Sequence, residues 1–247
     1  MRTIENIFEI ISAHLLPSAC IVCGEFQQHT LCLNCSSLLK SEQLFNYECC
    51  QQCGHILQES ELAEKHCQRC ISEPPDFDET YCLDRYDGRL QFALHQLKYQ
   101  RRLAYAHGLV STWNQLMAAN LNNLQADLLL PVPLSLEKLC SRGFNQSWEL
   151  ARRIHCENRI HKNPHILRRH HYAQNQAKES RTNRQLAIQN MFYVDPQYQR
   201  RLESATVIVF DDVMTSGATL NEIARVLKDN GVSRVINWVL LRTLRPS

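Results

Sequence analysis

The sequence predicts an α/β fold: a mainly parallel sheet flanked by helices, preceded by a small amino-terminal zinc-binding module. Three observations predict it. From residue 80 onward, short apolar runs of strand length alternate with amphipathic stretches of helical period, the pattern of a parallel sheet. Cysteine is abundant and lopsided: of twelve, ten precede residue 83. Glycine is scarce, with seven in 247 residues, and Gly217 stands where a strand gives way to a helix.

Taken in order, Ile4, Ile7, Phe8, Ile11 and Leu15 space out a short amphipathic helix. Glu5 and Glu9 interrupt any apolar core of a secretory signal, and no apolar run approaches the roughly 20 residues that cross a bilayer. The expected location is the cytoplasm. Residues 18–71 are cysteine-rich and weakly periodic, and Glu73-Pro74-Pro75-Asp76 reads as a linker. The expected division is therefore 1–75 for the helix and metal module and 76–247 for the α/β domain. A strand is expected at 80–86, then helices at 89–99 (Leu90, Leu94, Leu97) and 104–122 (Leu109, Trp113, Leu116). Ala126 to Val132 is a buried strand leading into Pro131-Val132-Pro133, and 144–156 looks helical. Residues 160–185 are polar and basic without a clear period. Ala205 to Phe210 is a second buried strand, 218–230 a helix, and Ser233 to Leu241 a third strand. Hydrophobic residues at 44% and charged residues at 21% suit a globular chain, and a net charge of +2 singles out no class of partner.

Four C-x-x-C pairs occur: Cys20/Cys23, Cys32/Cys35, Cys50/Cys53 and Cys67/Cys70. Two intervening residues let both thiolates face one ion from a tight turn, and two pairs complete a tetrahedral sulfur site for zinc. Gly24 and Gly54 follow directly and permit the positive φ that turns backbone amides toward sulfur. One or two structural zincs are expected. The simplest pairing is sequential; an interleaved one, first pair with third and second with fourth, fits the same spacing. His29, His55 or His66 are alternative ligands, as is Cys49 in place of Cys50.

The densest chemistry lies in Val207-Ile208-Val209-Phe210-Asp211-Asp212-Val213-Met214-Thr215-Ser216-Gly217-Ala218-Thr219. Four apolar residues make a buried strand. Two acids follow at its carboxyl end, where open α/β sheets bind ligands. Thr215, Ser216, Gly217, Ala218 and Thr219 then turn into a helix. Small residues let successive amides converge on an anion, and the helix amino terminus favours negative charge. Twin carboxylates accept hydrogen bonds from vicinal hydroxyls. Together these features suit a ribose 5-phosphate. No G-x-G-x-x-G or G-K-[ST] occurs to suggest a dinucleotide fold or a P-loop.

Residues 207–219 resemble the signature that binds phosphoribosyl pyrophosphate (PRPP) in type I phosphoribosyltransferases. Pro131-Val132-Pro133-Leu134, Arg142-Gly143-Phe144-Asn145-Gln146 and Leu97-Lys98-Tyr99 resemble segments of the ComF family (competence protein F, GntX-like). Gln176, Arg184 and Phe192 match its Q…R…F spacing, and the cysteine pairs match its zinc finger. Ala187 and Cys140 depart from the family pattern. The resemblance implies a type I phosphoribosyltransferase-like fold and a role in natural transformation, the handling of incoming single-stranded DNA. It further implies that Asp211 and Asp212 contact the ribose hydroxyls. The loop 215–219 would cradle the 5′-phosphate, and the turn at Pro133, with Arg142, would lie at the pyrophosphate. Mg²⁺ would accompany PRPP, with Lys98 and Arg142 sharing the pyrophosphate charge. A competence helicase and a recombination mediator are implied as partners.

Three functions are compatible with these residues: a PRPP-dependent transferase of unknown acceptor, a non-catalytic single-stranded-DNA-binding accessory protein, and a PRPP-sensing regulator. The basic stretch holding Arg168, Arg169, Lys178, Arg181 and Arg184 is the candidate lid in the first reading and the candidate DNA surface in the second.

Overall fold

The computed structural model describes residues 18–42, 44–121, 124–156, 160–170 and 190–244. The expected amino-terminal helix and Gln176, Lys178, Arg181, Arg184 and Ala187 lie outside these residues.

Five strands form one parallel sheet: β3 (Glu79–Arg85), β4 (Leu128–Pro131), β5 (His161–Lys162), β8 (Thr206–Met214) and β9 (Arg234–Arg242), in the order β3-β9-β8-β4-β5. After β4 the chain steps outward to β5, then returns to lay β8 on the other side of β4. Reversals of this kind open a crevice outside the carboxyl ends of the central strands, here those of β4 and β8. Two small antiparallel pairs complete the strands: β1 (Ser18–Ala19) with β2 (Phe26–Gln27), and β6 (Leu167–Arg169) with β7 (Phe192–Val194).

Alternation along each strand divides the apolar residues between two cores. On one face Leu128, Leu130, Val207, Val209, Val235 and Val239 pack with Leu220, Ile223 and Leu227 of the carboxyl-terminal helix Ala218–Asp229. On the other, Leu129, Ile208, Phe210, Ile236, Trp238 and Leu240 pack with two helices, Gln91–Tyr99 and Ala104–Leu121. Trp113, 2% exposed, sits against Phe210 and Trp238 with ring centroids 5.6 and 5.7 Å away. The helices are α1 (Leu33–Glu42), α2 (Gln68–Ser72), α3 (Gln91–Tyr99), α4 (Ala104–Leu121), α5 (Leu136–Arg142), α6 (Gln146–Ala151) and α7 (Ala218–Asp229).

Each cysteine segment joins one of these cores. Cys20, Cys32 and Cys35 belong to the α3–α4 side, where Ile21 presses so closely on Gly108 that an added Cβ would sit 2.3 Å from its Cγ2. Cys50, Cys53, Cys67 and Cys70 belong to the α7 side with Phe77 and Leu220. Among the described residues no helix is long and apolar enough to cross a membrane.

Candidate functional site

Asp211 and Asp212 lie within β8, which runs on to Met214 instead of ending at Phe210. The continuation has a physical cause: β9 is as long, and pairs Asp211 with Val239 and Met214 with Arg242. Asp212 is 4% exposed and forms an ion pair with Lys98 at the end of α3. Burial, the largest single influence, opposes its charge, but the Lys98 ammonium and the hydrogen bonds from Lys98, Asp211 and Gln146 together hold Asp212 below the ordinary carboxylate range. Asp211 is pushed well above that range, by burial first and by the neighbouring Asp212 charge second. The two carboxylates therefore differ in their readiness to ionise.

The segment after β4 supplies their other partners. Val132 N donates to Phe210 O at 2.9 Å, so the turn at Pro133 abuts the start of the acidic pair. Gly143 (φ +82°) ends α5, and Asn145 then caps α6 by accepting from the amides of Ser147 and Trp148. The Asn145 Nδ2 donates back to Val132 O at 3.0 Å, tying helix to strand. That cap aims the first turn of α6 at β8. Gln146 Nε2 donates to Asp212 Oδ1 at 3.4 Å, and Ser147 Oγ donates to Asp211 Oδ1 at 3.3 Å. Arg142 donates to Gln146 Oε1 at 2.7 Å and lies 5.4 Å over the Tyr99 ring. Arg142, Gln146, Asp212 and Lys98 thus form one polar chain. The structure gathers Asp211, Asp212, Lys98 and Arg142, the expected catalytic set, but with both cations already engaged by protein groups rather than standing free.

The loop after β8 is held from behind. Arg242, 4% exposed at the end of β9, donates to the carbonyls of Met214 (3.1 Å), Thr215 and Thr243 (2.9 Å), and through Nε to Cys53 O (3.1 Å). Arg69 of α2 donates to Ser216 O at 3.1 Å. In a trans peptide the N–H points opposite to the C=O. Three successive carbonyls turned onto guanidinium groups therefore turn the amides of Thr215, Ser216 and Gly217 the other way. Among the described residues none of those three amides, nor that of Thr219, donates to a protein acceptor; Ala218 N makes a 3.3 Å contact to Ser216 Oγ. Gly217 adopts φ +82°, a left-handed conformation that strains any residue with a Cβ, so the turn favours glycine. Thr215 and Ser216 are exposed. The amides of Thr215, Ser216 and Gly217 are thus left without an internal acceptor among the described residues. Amides left free in this way can hold an anion.

The cysteines close into two tetrads, Cys20/Cys23/Cys32/Cys35 and Cys50/Cys53/Cys67/Cys70, with sulfurs in each lying within 4.8 Å of one another. Pairing is sequential, and the interleaved alternative is ruled out by this geometry. Cys49, His29, His55 and His66 stand outside both tetrads. Cys23 and Cys32 sulfurs are 3.9 Å apart, and Cys53 and Cys67 sulfurs 3.6 Å. Amides of Cys32 and Cys35 approach the sulfurs of Cys20 and Cys32 at 3.5 and 3.4 Å. Four thiolates converging with amide support fit a tetrahedral zinc, and there is a place for two ions.

No family model matches the chain. It is 31% identical over 221 residues to DNA utilization protein YhgH of Escherichia coli O157:H7, a match spanning 87% of this chain and 91% of the relative. The chain belongs to the family of that protein and of competence protein F. Competence protein F of Haemophilus influenzae is 26% identical over 229 residues, spanning 90% of this chain and 96% of the relative. Competence protein ComFC of Bacillus subtilis is 33% identical over 117 residues, 47% of this chain and 45% of the relative. Among solved structures, the allosteric regulatory enzyme of purine biosynthesis aligns with 54% of this chain and 25% of its own at 17% identity and a TM-score of 0.33. A hypoxanthine phosphoribosyltransferase from Staphylococcus aureus aligns with 56% of this chain and 62% of its own at 14% identity and a TM-score of 0.33. Overlap that loose adds nothing to the sheet order already described.

Sequence reasoning passed over Ser147, Arg69 and Arg242 and gave Gln146 no role. A signal existed for Arg242: a cation directly after the apolar run Trp238-Val239-Leu240-Leu241 is a buried charge that needs acceptors. Arg69 and Ser147 carry no comparable signal.

Proposed function

We propose that this chain binds PRPP and works, as a phosphoribosyltransferase-like protein, where cells take up and use DNA. The observation that carries the proposal is the row of outward-turned amides at Thr215, Ser216 and Gly217, adjoining two carboxylates at the mouth of the β4–β8 crevice. In this reading the amides and the hydroxyls of Thr215, Ser216 and Thr219 hold the 5′-phosphate, and Asp211 and Asp212 accept from the ribose hydroxyls. The turn at Pro133 and the guanidinium of Arg142 border the pyrophosphate. Binding of pyrophosphate then draws Arg142 away from Gln146, and ribose hydroxyls compete with Lys98 for Asp212. Mg²⁺, when bound, neutralises the pyrophosphate through oxygen ligands. In a transfer, the C1–oxygen bond to pyrophosphate breaks and a bond from C1 to the acceptor forms.

The DNA context is supported by the names of the relatives, which are DNA utilization and competence proteins. A reducing compartment favours metal over disulfides at clustered cysteines, so the two tetrads support the cytoplasm as the location. A competence helicase and a recombination mediator are the partners that this context proposes. The described part of the basic stretch lies on the β6–β7 hairpin, where Arg168 reaches Asp195 at 3.6 Å and Arg169 lies 5.7 Å over Phe192.

Ligand that binds only the folded state stabilises it by mass action, about 2.7 kcal/mol at a hundredfold excess over Kd. PRPP with Mg²⁺ is therefore expected to raise the melting temperature. Asp211→Asn with Asp212→Asn is expected to abolish the rise and leave the zinc content unchanged. No rise at millimolar PRPP contradicts the proposal. Pyrophosphate release on adding an acceptor separates transfer from sensing.

A further inference from the structure

The solvent face of α3 carries three rings at helical spacing: Phe92, His95 and Tyr99, at i, i+3 and i+7. An ordinary helix of this sheet would bury its rings and expose its charges. Here Phe92 is 54% and Tyr99 61% exposed, while Ala93, Leu94 and Leu97 do the packing. The rings are not scattered. Phe92 meets the Tyr105 ring edge-on at 6.3 Å, and His95 lies 4.7 Å from Tyr99. Tyr86, at the carboxyl end of β3, faces them across a cavity of about 250 Å³ whose lining includes Lys98. The same Lys98 pairs with Asp212, so the aromatic face runs directly into the site described above.

Cations frame this face. Arg142 lies over the Tyr99 ring, and Arg101 donates to Ser141 O, which joins the turn after α3 to α5. Arg102 and Lys138 are exposed beside them. Residues 89–105 and 138–148 contain no acid; exposed acids stand at the border, Asp87 beside Tyr86 and Glu137 beside Lys138. We infer that the outer face of α3, with Tyr86, Arg101, Arg102 and Arg142, is a stacking platform for unpaired bases of a single-stranded nucleic acid, seated beside the ribose-phosphate site.

The chemistry selects that occupant. Sequence-tolerant binding of single strands combines aromatic faces, on which bases stack, with cations that follow the backbone. A base pair presents no free face, so a duplex cannot use the rings. A second copy of this chain would set Arg101, Arg102, Lys138 and Arg142 against their own likeness, and like charges across an interface are repulsive. An anionic strand removes that repulsion. The surface is separate from the β6–β7 arginines, whose described members already face Asp195 and Phe192. The inference rests on the proposed DNA-linked function only for the choice of nucleic acid.

The test uses the zinc-loaded full chain and a fluorescent oligo(dT), read by anisotropy. Phe92→Ala with Tyr99→Ala is expected to weaken oligo(dT) binding by about tenfold or more, from the stacking lost at two rings. Phe92→Tyr and Tyr99→Phe are expected to retain it, because each keeps a ring. Phe92→Ala alone is expected to keep the PRPP-induced rise in melting temperature, since Phe92 packs on Tyr105 and not on Arg142. Unchanged oligo(dT) affinity in the double alanine variant overturns the platform, whatever PRPP does. So does equal affinity for a duplex of the same length. A shift in the oligomeric state of the double variant with unaltered DNA binding also overturns it, and makes the face an interface between copies. Loss of the PRPP response in the wild type would instead strike the proposed function and leave the ring dependence standing.

Discussion

Asp212 has a lysine for company, whereas Asp211, one peptide bond earlier, accepts from the Ser147 hydroxyl and the Asp212 amide. The difference has consequences for stability. A carboxyl raised in the folded state contributes stability below its unfolded pKa and loses it as pH rises through the folded value. Near neutral pH, Asp211 therefore works against folding. Asp211→Asn keeps an acceptor for Ser147 and removes the charge. Its melting temperature is expected to exceed that of the wild type at pH 8, with the gain vanishing toward pH 4; no gain at pH 8 would contradict the assignment. Asp212 is lowered, so its stabilisation is present at neutral pH and lost only as pH falls through the folded value. Lys98→Met strands that buried carboxylate and is expected to cost about 3–5 kcal/mol in denaturant unfolding at neutral pH. Ligand sites often carry such local costs, because the groups that await substrate are incompletely satisfied without it.

At the scale of elements, β9 holds the loop that follows β8. Its last residue, Arg242, turns the carbonyls of Met214 and Thr215 inward and so sets the direction of the amides. Arg242→Gln leaves too few donors for four carbonyls. It is expected to weaken PRPP binding by tenfold or more in calorimetric titration while leaving the parallel pairing of β8 with β9 intact; unaltered affinity would show that the loop orients itself. The strands that position this loop were legible because β4, β8 and β9 are short apolar runs, buried on both faces. The full length of β8 was not, since acids are poor strand formers and only pairing with β9 carries the strand through Asp211 and Asp212. Helix α5 escaped notice for a different reason: its seven residues bury none of their side chains, so no apolar period marks it. The hairpin of β6 and β7 joins segments more than twenty residues apart, a distance over which local pattern says nothing about pairing. Of the site, the loop and the acids showed in the sequence because they form one unbroken run of acidic and small residues after an apolar strand. Ser147 and Arg69 did not, because their roles arise only when α6 and α2 are packed beside β8.

Across the whole molecule, the two cysteine tetrads flank the sheet, one in each core. The second tetrad reaches the loop after β8 twice, through Cys53 O on Arg242 and through Arg69 on Ser216 O. Zinc binding free energy is folding free energy in segments of this kind. Stripping zinc is expected to loosen both supports, so chelated protein should lose most of its PRPP-induced stabilisation and regain it on zinc return. A PRPP response that survives complete zinc removal, confirmed by metal analysis, would separate the tetrads from the site. The most direct measurement addresses the loop itself: amide ¹H–¹⁵N shifts of the zinc-loaded protein during titration with ribose 5-phosphate. The predicted result is that Thr215, Ser216 and Gly217 move downfield together and saturate with one affinity. Saturable binding that leaves those three signals in place and moves others would contradict the account.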